Sequence, residues 1–299
     1  MSNSEKANTL LDPSFLRRLE QLELATKKIF RGRMKGERLS KRKGQSVEFA
    51  DYRNYVVGDD LRFLDWNLYA RLDRLFLRLF MEEEDLHVFL LIDNSLSMSF
   101  GAPTKLHYAC QIAAALGFVG LIQSDRVKVD VFNSKLAAEL PPLRGRQSLW
   151  RLLEFLENQQ PEGTSNVSHA LRTFSLKTRG QGIVVVMSDF MDKGGYQEGL
   201  RYLLSSPRDV YVLQILSQEE IEPDLDGDVK MIDVEDEDEA EITVSPALIH
   251  RYKQNLNAYR NELRKFCAAR GMTYLFASNQ ESPEKLVLSQ FRRRGLLRS

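Results

Sequence analysis

The sequence predicts an α/β fold: a doubly wound, mostly parallel sheet with an N-terminal helical and extended arm. Three observations predict it. Residues 88–92 and 183–187 are short runs of β-branched, aromatic and other apolar side chains, the composition of strands buried on both faces. Both runs end in acid, the first directly in Asp93 and the second through Ser188 in Asp189. From residue 87 onward, strand-like runs alternate with helix-like runs, as they do in doubly wound folds. No fixed-period repeat or low-complexity linker interrupts the pattern.

The elements follow in order. Asp12-Pro13 is a good cap and first-turn proline, and Phe15, Leu16, Leu19, Leu22, Leu24 and Ile29 extend an amphipathic helix over 13–30. Residues 31–44 are basic and glycine-punctuated, a loop or arm, and residues 46–58 mix aromatic and charged side chains. Asp59-Asp60 caps a helix over 61–71, residues 75–80 read as a strand, and residues 82–85 form an acidic break. The expected domains are therefore an arm of 1–84 and an α/β domain of 85–299.

In that domain, 105–122 reads as a helix whose alanines suit close packing on a sheet. Residues 126–132 alternate valine with polar residues as a strand, and 136–140 return as an edge strand before Pro141-Pro142. Helices are expected at 148–156, 167–177, 196–204, 246–270 and 283–294, and strands at 209–216 and 272–277. The acidic excursion 224–243 has the pattern of a hairpin.

Composition narrows the function. Hydrophobic residues make up 43% and charged residues 28%, as in ordinary globular proteins. The net charge of zero hides segregation: residues 27–43 carry nine Lys or Arg against Glu37, and residues 219–241 carry thirteen acids against Lys230. Such blocks suit solvated faces or partner surfaces. The basic run lacks interleaved aromatics and a recognition fold, so no nucleic-acid partner is expected. Cys110 and Cys267 give no disulfide framework. No stretch approaches the ~20 apolar residues of a membrane helix, and the first residues lack a signal peptide's apolar region. A cytoplasmic protein without direct membrane insertion is the expectation. His87, His107, His169 and His250 show no metal-ligand spacing.

In open α/β sheets, ligands bind outside the carboxyl ends of the strands where strand order reverses. Asp93 and Asp189 occupy such ends. After Asp93, hydroxyls recur at Ser95, Ser97 and Ser99, and a loop threonine, Thr164, opens the helix that leads to the second buried strand. Either Asp93 simply caps the next turn, or Asp93, Ser95, Ser97, Thr164 and Asp189 surround one hard cation, which prefers oxygen ligands. Asp-x-Ser-x-Ser after a buried strand, a loop Thr and a later strand-end Asp resemble the metal-ion-dependent adhesion site of von Willebrand factor A domains, which are Rossmann-like in architecture. Arg42-Lys-Gly, Glu48-Phe, Asp51-Tyr-Arg, Tyr55, Gly58-Asp-Asp-x-Arg62, Asp65-Trp66 and Ala70-Arg71 resemble the signature of the bacterial family catalogued as domain of unknown function fifty-eight. That resemblance runs from about residue 35 to the C-terminus.

The resemblance implies Mg²⁺ or Mn²⁺ at the five residues and a client protein that supplies a carboxylate to the ion. It also implies a MoxR-type AAA+ ATPase as partner in chaperone-like assembly or activation of another complex. No enzymatic activity is expected. The alternative is a metal-dependent phosphohydrolase using Asp93, yet Ser95 stands where such enzymes usually carry a second Asp as general acid. No nucleophile elbow or phosphate loop occurs. The 51–71 segment reads either as a salt-bridged structural arm or as a docking surface.

Overall fold

The computed structural model describes residues 10–25, 48–81, 86–224, 227–232 and 239–298. The basic run 27–43, the acidic break 82–85 and residues 233–238 of the acidic excursion lie outside them. The chain divides into two compact units, Met1–Lys28 with Leu86–Ser299, and Ile29–Asp85.

In the first unit, helix α1 (Pro13–Leu19) is capped by Asp12 and buries Phe15 and Leu19, so this helix lies with the α/β core. It is shorter than the predicted 13–30. The spacing of two between Leu22 and Leu24 suits extended chain, and Glu23–Leu24 pairs antiparallel with Leu297–Arg298. The main sheet comprises β1 (His87–Asp93), β2 (Arg126–Phe132), β3 (Leu136–Leu143), β4 (Gly182–Ser188), β5 (Arg208–Leu216) and β6 (Thr273–Ser278). Its order is β6-β5-β4-β1-β2-β3, parallel throughout except for the antiparallel edge strand β3. Strand β3 runs through Pro141-Pro142, which an edge position tolerates because proline gives up a ladder hydrogen bond.

Helices cover both faces. Along β1, Val88, Leu90 and Ile92 join one core with α2 (Lys105–Ile122) and α3 (Leu149–Glu157), while Phe89 and Leu91 join a second. That second core is built with α4 (Val167–Lys177), α5 (Gln197–Leu203) and, beyond the short turn α6 (Gln218–Ile221), α7 (Pro246–Ala268). This two-sided burial is what the unbroken apolar runs encode. Helix α2 is long and apolar enough by composition to cross a membrane, but here it is a core helix buried along nearly its whole length. Gly120 lets it approach the sheet: a Cβ there would meet Val127 Cγ2 at 2.9 Å. The acidic excursion forms the hairpin Gly227–Ile232 and Glu239–Val244. The predicted helix 283–294 is found as a continuous helical run over 283–293, whose middle, Leu286–Phe291, widens into π-type turns.

The second unit holds an antiparallel pair, Glu48–Asn54 with Phe76–Met81. The helix expected over 61–71 is split into a 3-10 turn, Leu61–Phe63, and a helix, Trp66–Leu72. Asp65 causes the split, because its Oδ1 accepts the N–H groups of Asn67 and Leu68 at 2.9 and 3.1 Å and so starts a new helix. Its Oδ2 accepts from Arg78 Nε at 2.8 Å and from the Tyr52 hydroxyl at 3.1 Å. Asp59 takes Arg53 in a two-pronged pair, both contacts 2.7 Å, and Asp60 pairs with Arg62.

Two outcomes are expected. Gly182 opens β4 at φ +153°, and a Cβ there would stand 2.1 Å from the His87 carbonyl oxygen. Gly182→Ala should therefore cost on the order of 1–3 kcal/mol by urea unfolding, as the start of the central strand pair is forced apart. In the second unit, the Arg78 guanidinium holds the Asp65 carboxyl well below the usual carboxylate range. A depressed folded pKa gives stability that is complete above the unfolded value of about 3.9 and is lost as pH falls toward the folded one. Asp65→Ala should speed amide exchange of residues 48–81 at neutral pH, and the difference from wild type should shrink in strong acid.

Candidate functional site

Strand order reverses between β1 and β4: the chain leaves β1 toward β2 on one side and returns to place β4 on the other. The register pairs Ile92 with Met187, so Asp93 ends its strand beside Ser188 and Asp189 follows directly. The Ser188 hydroxyl donates to Asp93 Oδ2 at 2.6 Å. After Asp93 the backbone folds into the 3-10 turn Leu96–Ser99. This carries the Ser95 N–H and hydroxyl to Asp93 Oδ1 at 3.0 and 2.7 Å. Ser97 Oγ lies 3.0 Å from Ser95 Oγ. Ser99 turns away, its hydroxyl donating to the Leu96 carbonyl at 2.7 Å.

The 161–166 loop is stitched to this turn. Leu96 N–H donates to the Gly163 carbonyl at 2.9 Å, and Glu162 N–H to the Asn94 carbonyl at 2.7 Å. Thr164 sits in this loop with its side chain exposed. Its neighbour Ser165 is the loop residue whose hydroxyl reaches Asp93 Oδ2, at 3.4 Å. Asp93, Ser95 and Ser97 thus form one chain of hydrogen-bonded oxygens, and Thr164 contributes to the loop bonded against it.

Asp189 has its own partners. Its Oδ1 accepts the Met191 N–H at 3.1 Å and its Oδ2 the Lys105 ammonium at 2.7 Å. Lys105 also donates to Glu220 Oε1 at 2.7 Å. Glu220 is fixed by a capping box with Ser217, which starts α6. Asp93 and Lys105 are wholly buried and Asp189 is 2% exposed.

Burial, and then the negative charge of Asp189, push the Asp93 carboxyl up to about 7 against the hydrogen bonds from Ser188 and Ser95. Burial works to lower the Lys105 ammonium, but the charges of Asp189 and Glu220 and their hydrogen bonds outweigh it and leave it above its ordinary value.

The donors suit a hard divalent cation. All are oxygens, and among the described residues no group of three or more His, Cys, Asp or Glu side chains could hold a metal instead. The Ser95 and Ser97 hydroxyls, 3.0 Å apart within one hydrogen-bonded chain, would lie side by side toward such a cation. The Ser95 proton is directed at Asp93, which leaves that hydroxyl's remaining lone pair for a ligand. The residues that sequence reasoning missed are Ser165, Ser188, Lys105 and Glu220. Ser188 was legible as the residue before Asp189. Lys105 and Glu220 carry no local signal, because they lie 115 positions apart and meet only in the folded chain.

With this geometry in view, residues 51–262 match the family described as "Protein of unknown function DUF58", and the chain belongs to that family. Two relatives are the uncharacterized protein Rv1480 of Mycobacterium tuberculosis and the uncharacterized protein Mb1516 of Mycobacterium bovis. Each is 27% identical over 260 residues, covering 85% of this chain and 81% of the relative. Among solved structures, the hypothetical protein BatB of Bacteroides thetaiotaomicron is similar at a TM-score of 0.41 and 15% identity, covering 70% of this chain and 98% of that one. The SpRpn10 VWA domain is similar at a TM-score of 0.37 and 11% identity, covering 69% and 95%.

The raised Asp93 carboxyl fixes the sign of a pH effect. A carboxyl whose folded pKa lies above its unfolded value of about 3.9 contributes stability below that value and loses it as pH rises through about 7. Without divalent cations, Asp93→Asn should therefore melt higher than wild type at pH 8, with the gap narrowing by about two thirds at pH 5. Calorimetric melting at the two pH values checks this.

Proposed function

We propose that the chain is a non-enzymatic, metal-dependent protein-interaction module. In this reading Asp93, Ser95, Ser97, Thr164 and Asp189 hold Mg²⁺ or Mn²⁺, and a client protein supplies a carboxylate to the same centre. The observation that carries it is the chain of oxygens from Ser97 through Ser95 to a buried Asp93, in which neutral hydroxyls outnumber the charged donors. A bound divalent cation supplies a positive charge that so few anionic ligands leave only partly compensated, and it attracts a further carboxylate. The chain's own residues do the rest. Ser188 and Ser165 orient Asp93, the Gly163 and Asn94 carbonyls lock the two loops together, and Lys105 holds Asp189.

The surroundings also favour docking. Three residues with side chains at least 40% exposed are bonded to this network, two by their backbone and one by its hydroxyl: Phe100, whose carbonyl accepts the Lys105 N–H; Met191, whose N–H donates to Asp189; and Tyr252, whose hydroxyl donates to the Glu220 carbonyl. A polar anchor edged by exposed apolar side chains has the make-up of a protein-binding surface. The family resemblance points to a MoxR-type AAA+ ATPase as the machine the module serves, in a cytoplasmic setting.

The test is co-precipitation of the full chain with a MoxR-type ATPase in Mg²⁺ and ATP, comparing wild type with Asp93→Ala at matched melting curves. Loss of at least about tenfold in capture by the folded variant is expected, since removing a buried charged anchor typically costs 2 kcal/mol or more. Equal capture would place the contact elsewhere, with the exposed Val57 and Trp66 of the second unit as the next candidates. Turnover of a phosphate ester without any partner, lost in Asp93→Asn, would instead establish the phosphohydrolase.

A further inference from the structure

Lys105 is a wholly buried ammonium placed between two carboxylates of different character. Asp189 belongs to the proposed centre, and Glu220 belongs to α6 and is partly open to solvent. Its position is set by more than its charge. Its N–H donates to the Phe100 carbonyl at 3.1 Å, and the neighbouring Thr104 caps α2 through the His107 N–H. On Asp189, one oxygen is engaged by this ammonium and the other by the Met191 N–H. Each carboxylate oxygen keeps a second acceptor site, but the negative charge that a cation would use is already shared.

We propose that Lys105 sets the cation affinity of the centre, acting as a resident counter-charge that competes for Asp189, so that a divalent cation is held weakly until an anionic ligand joins it. The inference rests on the metal-site reading and adds the residue that tunes it. A cation held by Asp189 would feel Lys105 through the carboxylate the two share, and in a buried site repulsion at that range changes affinity by about tenfold or more. The same ammonium adds to the attraction felt by an incoming carboxylate. Lys105 therefore trades resting cation affinity for dependence on the partner. Glu220 moderates the trade by drawing part of the ammonium's charge away from Asp189.

The two sides of Lys105 give opposite expectations, which a purely structural role would not. With Mn²⁺ alone as the probe, titrated calorimetrically into the full chain, Lys105→Met should bind about tenfold or more tightly than wild type. Lys105→Arg should stay near wild type. Glu220→Gln, which keeps an oxygen for the Ser217 cap but removes the charge, should bind more weakly because the ammonium then serves Asp189 alone. Acetate should tighten Mn²⁺ binding in wild type and do so less in Lys105→Met. If Lys105→Met does not fold, Glu220→Gln decides: weaker binding supports the proposal and unchanged binding overturns it. If wild type binds and Asp93→Ala does not, yet folded Lys105→Met binds no tighter than wild type, Lys105 is not the tuner and the metal site stands. If neither folded wild type nor folded Lys105→Met binds Mn²⁺, both readings fall.

Discussion

A carboxylate with no access to water is the constraint around which the α/β unit is arranged. Charge buried alone is costly, and Asp93 is wholly buried at the end of the central strand. The fold answers with hydroxyl donors from three segments, short ones from the turn after β1 and the end of β4 and a longer one from the 161–166 loop. Those donors do not lower the carboxyl to its ordinary range, because burial itself, and after it the like charge of the neighbouring Asp189, raise it. The proposed cation would supply positive charge to a pair of carboxyl groups that has only Lys105, on the Asp189 side, to balance it.

Lys105 complicates that simple picture in a useful way. A buried ion pair contributes little net stability, since desolvation of both charges offsets their attraction. What the structure shows is the arrangement this pair fixes. Lys105 links α2 to the end of β4 and to α6, and through the Glu220 carbonyl to Tyr252 on α7. The segments that border the centre are thus connected by charge-assisted bonds as well as by apolar packing.

The second unit uses the same chemistry on a smaller scale. The signature residues Tyr52, Arg53, Asp59, Asp60, Arg62 and Asp65 find partners among themselves or on Arg78. Five of the seven charged side chains in 51–71, Arg53, Asp59, Asp60, Arg62 and Asp65, are paired within the unit, which supports the structural reading of that segment. Its exposed apolar side chains, Val57, Leu61, Trp66 and Leu72, are not explained by that pairing.

The class of fold, and the two strand ends that carry Asp93 and Asp189, were legible in the residues themselves. Unbroken apolar runs such as 88–92 can be buried on both faces only in a covered parallel sheet, and an acid at the end of each run fixes where polarity returns. Hydroxyls two residues apart after Asp93 were equally legible, because a tight turn brings such neighbours together whatever surrounds it. Local reasoning failed where the spacing of one element was overruled by another. Leu22 and Leu24 left their predicted helix as the chain turned to pair with the C-terminal strand, and Asp65 broke a continuous helical pattern by capping a new one. Only the tertiary structure decided that β1 and β4 are neighbours across the reversal of strand order, that Ser165 and Ser188 reach Asp93, and that Lys105 holds Asp189. Those contacts join residues 72 to 95 positions apart, and no local pattern encodes a meeting that depends on the order in which strands enter the sheet.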